Sequence, residues 1–247
     1  MAFDALQDLA LAGVQWELTK NPIMTLEKKT PIQQTFQTNR TVVNSVIIPA
    51  AAPITLDTVK SMVNRPTDID SLVRMVTEFN HPLRSGATNV AKPNIAKNPN
   101  GLVIITDMPS ADDDLSGQIL SGAAGEMIDK MLSAIEMSRE NVSIIPLVFW
   151  RTPGGRTPSR EELDLVRPFT DKMLEMLAPR VIITLGTLAT TEITQANLTS
   201  VHGNEIKTES GYTIVPLYHP NYLILKPSAK RDVWTALQNV QKMLKNS

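Results

Sequence analysis

From residue 102 onward, short β-branched runs alternate with stretches whose apolar residues return every three or four positions. LVIIT (102–106), VSII (142–145), VIITL (181–185) and YTIVPLY (212–218) are near-continuous apolar runs, the pattern of strands buried on both faces. Between the first two, Ala124, Met127, Ile128, Met131, Leu132 and Ile135 share one helical face. Leu163, Val166, Phe169, Met173 and Leu177 do the same over 160–177, and Val233, Trp234, Leu237, Val240 and Leu244 form the inward stripe of a last helix after Ser228. This alternation predicts an α/β fold, a three-layer α/β/α domain around a mostly parallel sheet. In such sheets the ligand site lies where the chain leaves the carboxyl ends of the strands. Those loops begin TDMPSADDD, PLVFWRTPGGR, LGTLATT and YHPNYLILKP.

The first quarter of the chain is patterned more weakly. Leu6, Leu9, Leu11, Val14 and Trp16 suggest a short helix ending near Lys20, before Pro22. Residues 25–53, rich in Thr, Gln and Lys and interrupted by prolines, read as a linker. Two helices are then expected, with Thr55 as one N-cap and Thr67 or Asp68 as the other. The expected division is therefore an N-terminal helical extension with its linker over 1–54, and the main domain over 55–247.

Composition narrows the chemistry. The 247 residues carry a formal net charge of -1, so nucleic acid could be held only by local basic clusters. There is no cysteine, which removes disulfides, thiol nucleophiles and thiolate-ligated metals. The N-terminus carries Asp4 and Asp8 without a basic stretch, unlike a signal peptide, and no run of ~20 apolar residues could span a bilayer. A cytoplasmic monomer is expected.

Only three histidines occur, His81, His202 and His219. His219 follows a strand, on the rim where ligands bind, whereas His81 and His202 read as structural. The acidic run Asp112–Asp114 reads as a solvated or capping cluster, and no histidine or glutamate is spaced to make it a metal site. Asp107 opens the same loop and reads equally as a capping acid. TPGGR is a turn, too short for a phosphate-cradling loop. Lys226, Lys230 and Arg231 flank the start of the last helix, where backbone amides favour an anion.

Taken together, the order and spacing of these motifs resemble the family-four uracil-DNA glycosylases of the alphaproteobacterial type. TDMPSADDDLSGQILSGAAGEMIDKML lines up without a gap against that family's G-E-A-P-G motif and the helix after it. FWRTPGGRTPSREE, ITLGTLAT, HPLRSGATN and HPNYLILKPSAKRDVW match further motifs in order. The resemblance implies DNA as partner and hydrolysis of the N-glycosidic bond of a flipped-out uracil or related damaged base. It assigns His219 as the donor to the uracil carbonyl oxygen and Asp107, a glutamate in the family, as the catalytic carboxylate. Pro109, Ser110, Leu120, Pro146 and Asn221 fall on positions around the base. Arg151, Arg156, Lys230 and Arg231 fall where DNA phosphates would be met.

The chain also departs from the family pattern. The asparagine that reads uracil falls on Pro146, whose ring offers no side-chain donor or acceptor. The stacking phenylalanine falls on Leu120, and the last glycine of the first motif on Ser110. The cysteines that would hold a [4Fe-4S] cluster fall on His81 and on or near Trp150 and Val166, so the cluster is expected to be absent and Trp150 to plug its place. Two readings stay open: a glycosylase, and a relative that kept the fold as a DNA- or protein-binding module without catalysis.

Overall fold

The structure is a computed structural model that describes residues 54–245. The expected N-terminal helix and the 25–53 linker lie outside the described residues.

Two helices open the described chain, α1 (Leu56–Val63) and α2 (Ile69–Glu78). Thr55 caps the first by accepting from Thr58 N at 3.3 Å, and Asp68, not Thr67, caps the second by accepting from Ser71 N at 2.8 Å. Five strands follow: β1 (Leu102–Thr106), β2 (Ser143–Pro146), β3 (Val181–Leu185), β4 (Ile206–Lys207) and β5 (Thr213–Leu217). They form one sheet in the order β2-β1-β3-β5-β4, parallel except for β4. The four apolar runs are thus the four parallel strands, with ends moved by one residue in two of them. Two-residue β4 was not anticipated, being too short to carry a pattern.

The pleat sorts the strand residues onto two faces. Leu102 and Ile104 of β1 join one apolar cluster with Ile128 and Leu132 of α4 (Gly122–Ser133) and Val233 and Leu237 of α9 (Lys230–Lys245). Val103 and Ile105 join the other, with Leu72, Val76 and the Leu163, Val166, Phe169 and Met173 stripe of α5 (Arg160–Leu177). Helices therefore cover both faces, the three-layer α/β/α arrangement that strand–helix alternation implied.

Three of the rim segments read as loops in fact hold short helices, α3 (Ala111–Ser116), α6 (Thr187–Thr194) and α8 (Pro220–Leu225), and a further short helix, α7 (Leu198–Val201), follows α6. All but α6 are signalled by local caps rather than long apolar stripes. Ser110 and Asp113 form a reciprocal capping box on α3, and proline occupies the first turn of α8, where its missing N–H costs nothing. Of the two readings of the Asp112–Asp114 cluster, capping holds for Asp113, which completes the box on α3, while solvation fails for Asp113 and Asp114. Asp113 and Asp114 are 3% and 7% exposed, and Asp114 Oδ1 accepts from the Thr88 and Asn89 amides at 2.8 and 3.1 Å. Their carboxylates replace water with backbone N–H groups, which is how a buried charge is tolerated.

Candidate active site

In sequence β1 pairs first with β2 on one side and then with β3 on the other, so the strand order reverses between β1 and β3. An open parallel sheet forms its ligand crevice at that point. Thr106, Leu185 and Leu217 stand level at the carboxyl ends of β1, β3 and β5, with Pro146 beside Thr106 at the end of β2. Asp107, Gly186 and His219 follow immediately. A cavity of about 850 Å³ opens at the other end of the sheet, where β3 and β5 begin, at Val181 and Thr213. Asp171, Glu175 and Glu205 outnumber Arg180 in its lining, a poor surface for a phosphate backbone, so chemistry and not volume locates the site.

Asp107 is held from across the crevice. Its Oδ1 accepts from the Ala189 amide at 2.6 Å, in the first turn of α6. Burial pushes its carboxyl up to about 6, against the amides of Ala189 and Leu188, which favour the anion. Gly186 makes the approach possible: its φ is 100°, and a Cβ there would lie 2.3 Å from Asp107 Oδ2. The capping role open to Asp107 in the sequence is therefore real, but the helix it caps is α6, not its neighbour α3.

His219 is the N-cap of α8, and its Nδ1 accepts from the Asn221 amide at 3.2 Å. A neutral imidazole with Nδ1 as acceptor carries its proton on Nε2, and among the described residues nothing accepts from that atom. Burial pulls the ring down to about 4, opposed by the Asp113 charge, so it is neutral at pH 7. Tyr218, just before it, lies against the rings of His202 and Tyr222 with centroids 3.9 and 4.8 Å away, which steadies the loop. Asn221, placed at the base by the resemblance, is exposed, and its backbone amide orients the imidazole.

Leu120 and Pro146 are buried at the crevice end of the sheet, and Pro109 is buried beside Ser110. Ser110 spends its hydroxyl on capping α3. Of the basic residues, Lys230 and Arg231 are exposed in the first turn of α9 and Arg151 is half-buried. Arg156 is half-exposed, and its guanidinium grips Glu162 through two bonds of 2.8 and 2.6 Å. The sequence reading also missed Leu225, which is 85% exposed on the helix that His219 starts. An apolar residue outside any buried stripe was its signal.

The positions that the resemblance assigns to cluster ligands do converge, but around rings. His81 stacks on Trp150 with centroids 4.8 Å apart and planes within 2°, and Phe79 and Phe149 pack around them. Trp150 and Val166 are 0% and 1% exposed in one apolar cluster. His81 is structurally engaged through both nitrogens: Nδ1 accepts from Leu83 N at 3.2 Å and Nε2 meets Glu162 O at 3.0 Å. A thiolate-held iron–sulfur cluster does not fit these residues. Among the described residues no group of three or more His, Asp or Glu could hold a metal ion, and no helix is long and apolar enough to cross a membrane.

The family model described as the uracil DNA glycosylase superfamily matches residues 94–240. A type-4 uracil-DNA glycosylase of Archaeoglobus fulgidus is 26% identical over 174 residues, covering 66% of this chain and 87% of its own length. Those of Thermotoga maritima and Pyrobaculum aerophilum are 31% and 30% identical over 126 and 141 residues. These alignments cover 50% and 53% of this chain, and 66% and 72% of the relatives.

Proposed function

The chain belongs to the uracil-DNA glycosylase superfamily, and from that membership we propose that it hydrolyses the N-glycosidic bond of a uracil, or related damaged base, flipped out of DNA. The observation that carries the reading is His219: a neutral imidazole whose only uncommitted polar atom, Nε2–H, stands on the crevice rim.

When the C1′–N1 bond breaks, its electron pair passes to the base and negative charge gathers on a carbonyl oxygen. Nε2–H of His219 donates to that oxygen. One preorganised donor of this kind contributes ~2.7–4 kcal/mol in the transition state. The sugar becomes oxocarbenium-like, and the Asp107 carboxylate, ionised at neutral pH, stabilises it and orients the water. The water oxygen bonds to C1′, and its proton passes to Asp107 or to solvent. Leu225 and Ile224, exposed at the end of α8, supply the apolar wedge that fills the gap left by the base. Pro109, Leu120 and Pro146 wall the pocket, and Arg151, Lys230 and Arg231 meet phosphates. With no amide at Pro146, selection of uracil is weaker than a hydrogen-bonded site achieves, where discrimination reaches ~10⁴-fold. The protein acts on DNA in the cytoplasm, as a monomer, in two parts divided near residue 54.

Incubation with uracil-containing single- and double-stranded DNA, followed by cleavage at abasic sites, tests this. Strand scission that disappears in His219→Ala supports it, and an inactive wild-type protein at large enzyme excess overturns it. One observation favours the second reading, a DNA-binding relative without catalysis: Asp107 Oδ1 is already committed to Ala189 at 2.6 Å. Binding that weakens steeply with salt, without base release, would select that reading.

A further inference from the structure

Four non-glycine residues have positive φ among the described residues. Ala178 and Gln195 are C-caps, and Glu136 lies just past the end of α4, places where left-handed backbone is routine. Leu120 is the exception. It stands ahead of a helix, at φ 51°, and only 2% of it is exposed. Leucine seldom adopts this conformation, and such residues persist where their surroundings over-determine them.

Here the surroundings act from both sides. Arg139 donates from Nη2 to Leu120 O at 2.6 Å and from Nη1 to Ile119 O at 3.0 Å, while its Nε is anchored on Asp129 at 2.7 Å. On the other side, Asp113 Oδ1 accepts from both the amide and the hydroxyl of Ser121, at 2.6 and 2.7 Å. Asp113 Oδ2 accepts from Ser110 N at 2.9 Å, tying the start of the loop to its end. Gly125 lets the Leu120 carbonyl approach α4, since a Cβ there would come within 2.4 Å of that oxygen. The network reaches the other side of the crevice as well. Helix α8, which begins after His219, packs on α4, and the Asp113 charge acts on the His219 ring.

A glycine at position 120 would make this turn without restraint. Holding a leucine there fixes a side chain. We propose that Asp113 and Arg139 are positioning residues that clamp the Leu120–Ser121 step, so that Leu120 forms a fixed wall of the base pocket beside the helix that His219 begins. The proposal rests on the glycosylase reading for the identity of the pocket's ligand, but the clamp is testable without it.

The test compares wild type with Arg139→Ala, Arg139→Lys and Asp113→Asn, by steady-state excision of uracil from a single-stranded oligonucleotide and by NMR of the His219 ring and Leu120 methyls. Arg139→Ala and Asp113→Asn are expected to raise KM ~10-fold or more while the protein stays folded, with Arg139→Lys recovering part of the loss. Asp113→Asn is also expected to move the His219 titration to lower pH. If Arg139→Ala fails to fold, Arg139→Lys and Asp113→Asn carry the test. Lowered melting temperature with unchanged KM, unchanged kcat and unmoved His219 and Leu120 signals overturns the clamp. Should wild type excise nothing, the glycosylase reading fails by itself. The NMR comparison still decides the clamp, unmoved signals overturning it and shifted ones supporting it.

Discussion

The chain uses the same device twice and gives it two different surroundings. His81-Pro82 and His219-Pro220 each place a histidine at the N-cap of a short helix with proline next, and in each Nδ1 accepts from the amide two residues on, at 3.2 Å. Burial lowers the proton affinity of both rings. The difference lies at Nε2. In His81 it is spent on Glu162 O, and the ring is stacked on Trp150; in His219 it is left over. In the proposed function, that uncommitted nitrogen is what separates the task of His219 from the structural one of His81.

The sharpest way to break this comparison is to truncate each ring. His219→Ala is expected to lower kcat ~10²–10³-fold with little change in melting temperature. His81→Ala is expected to do the reverse, costing on the order of 3 kcal/mol of stability by leaving the buried Leu83 N–H without a partner and a void against Trp150. Equal loss of activity in a folded His81→Ala protein would end the distinction.

Acid should also separate the two regions. Asp107 holds its proton more tightly folded than unfolded, so the stability it contributes is present below its ordinary 3.8 and lost as pH rises through about 6. His81 has the opposite sign: its contribution is present above its ordinary 6.5 and lost as pH falls below that value. Activity should decline below about 6 as Asp107 protonates, while His219, near 4, stays neutral. Asp107→Asn is expected to cost ~10²-fold or more in rate yet gain ~1–3 kcal/mol of stability at pH 7. Thermal melts across pH 4–8 and a pH–rate profile check both, and a variant less stable than wild type at pH 7 would contradict the burial account.

Smaller effects sharpen the picture. Gly186→Ala introduces backbone strain of ~1–3 kcal/mol and displaces Asp107, so excision should fall at least ~10-fold. Comparing initial rates with calorimetry separates the two effects, and an unchanged rate would mean that Asp107 does not need this seat. Leu225→Ala should leave stability within ~0.5 kcal/mol. It should slow excision from duplex DNA ~5-fold relative to single strands, since only the duplex needs a wedge. Equal rates would remove Leu225 from that role.

The sequence by itself determined the layers and the rim. Continuous β-branched runs and 3.6-residue stripes report burial, which is a property of neighbouring residues along one strand or helix face, so four strands and three long helices were legible in it. Position after a strand end also located His219 and Asp107, and the want of cysteine by itself ruled out a thiolate-held cluster. Only the tertiary structure decided what these groups do. That Arg156 is taken by Glu162, that Asp113 is buried rather than solvated, and that Asp107 is seated on α6 all depend on partners distant in sequence or brought close by turns. So does the fate of the two His-Pro caps. Pattern registers how deeply a residue is buried, whereas a hydrogen bond depends on which atom of a remote segment arrives within about 3 Å, and no local spacing encodes that.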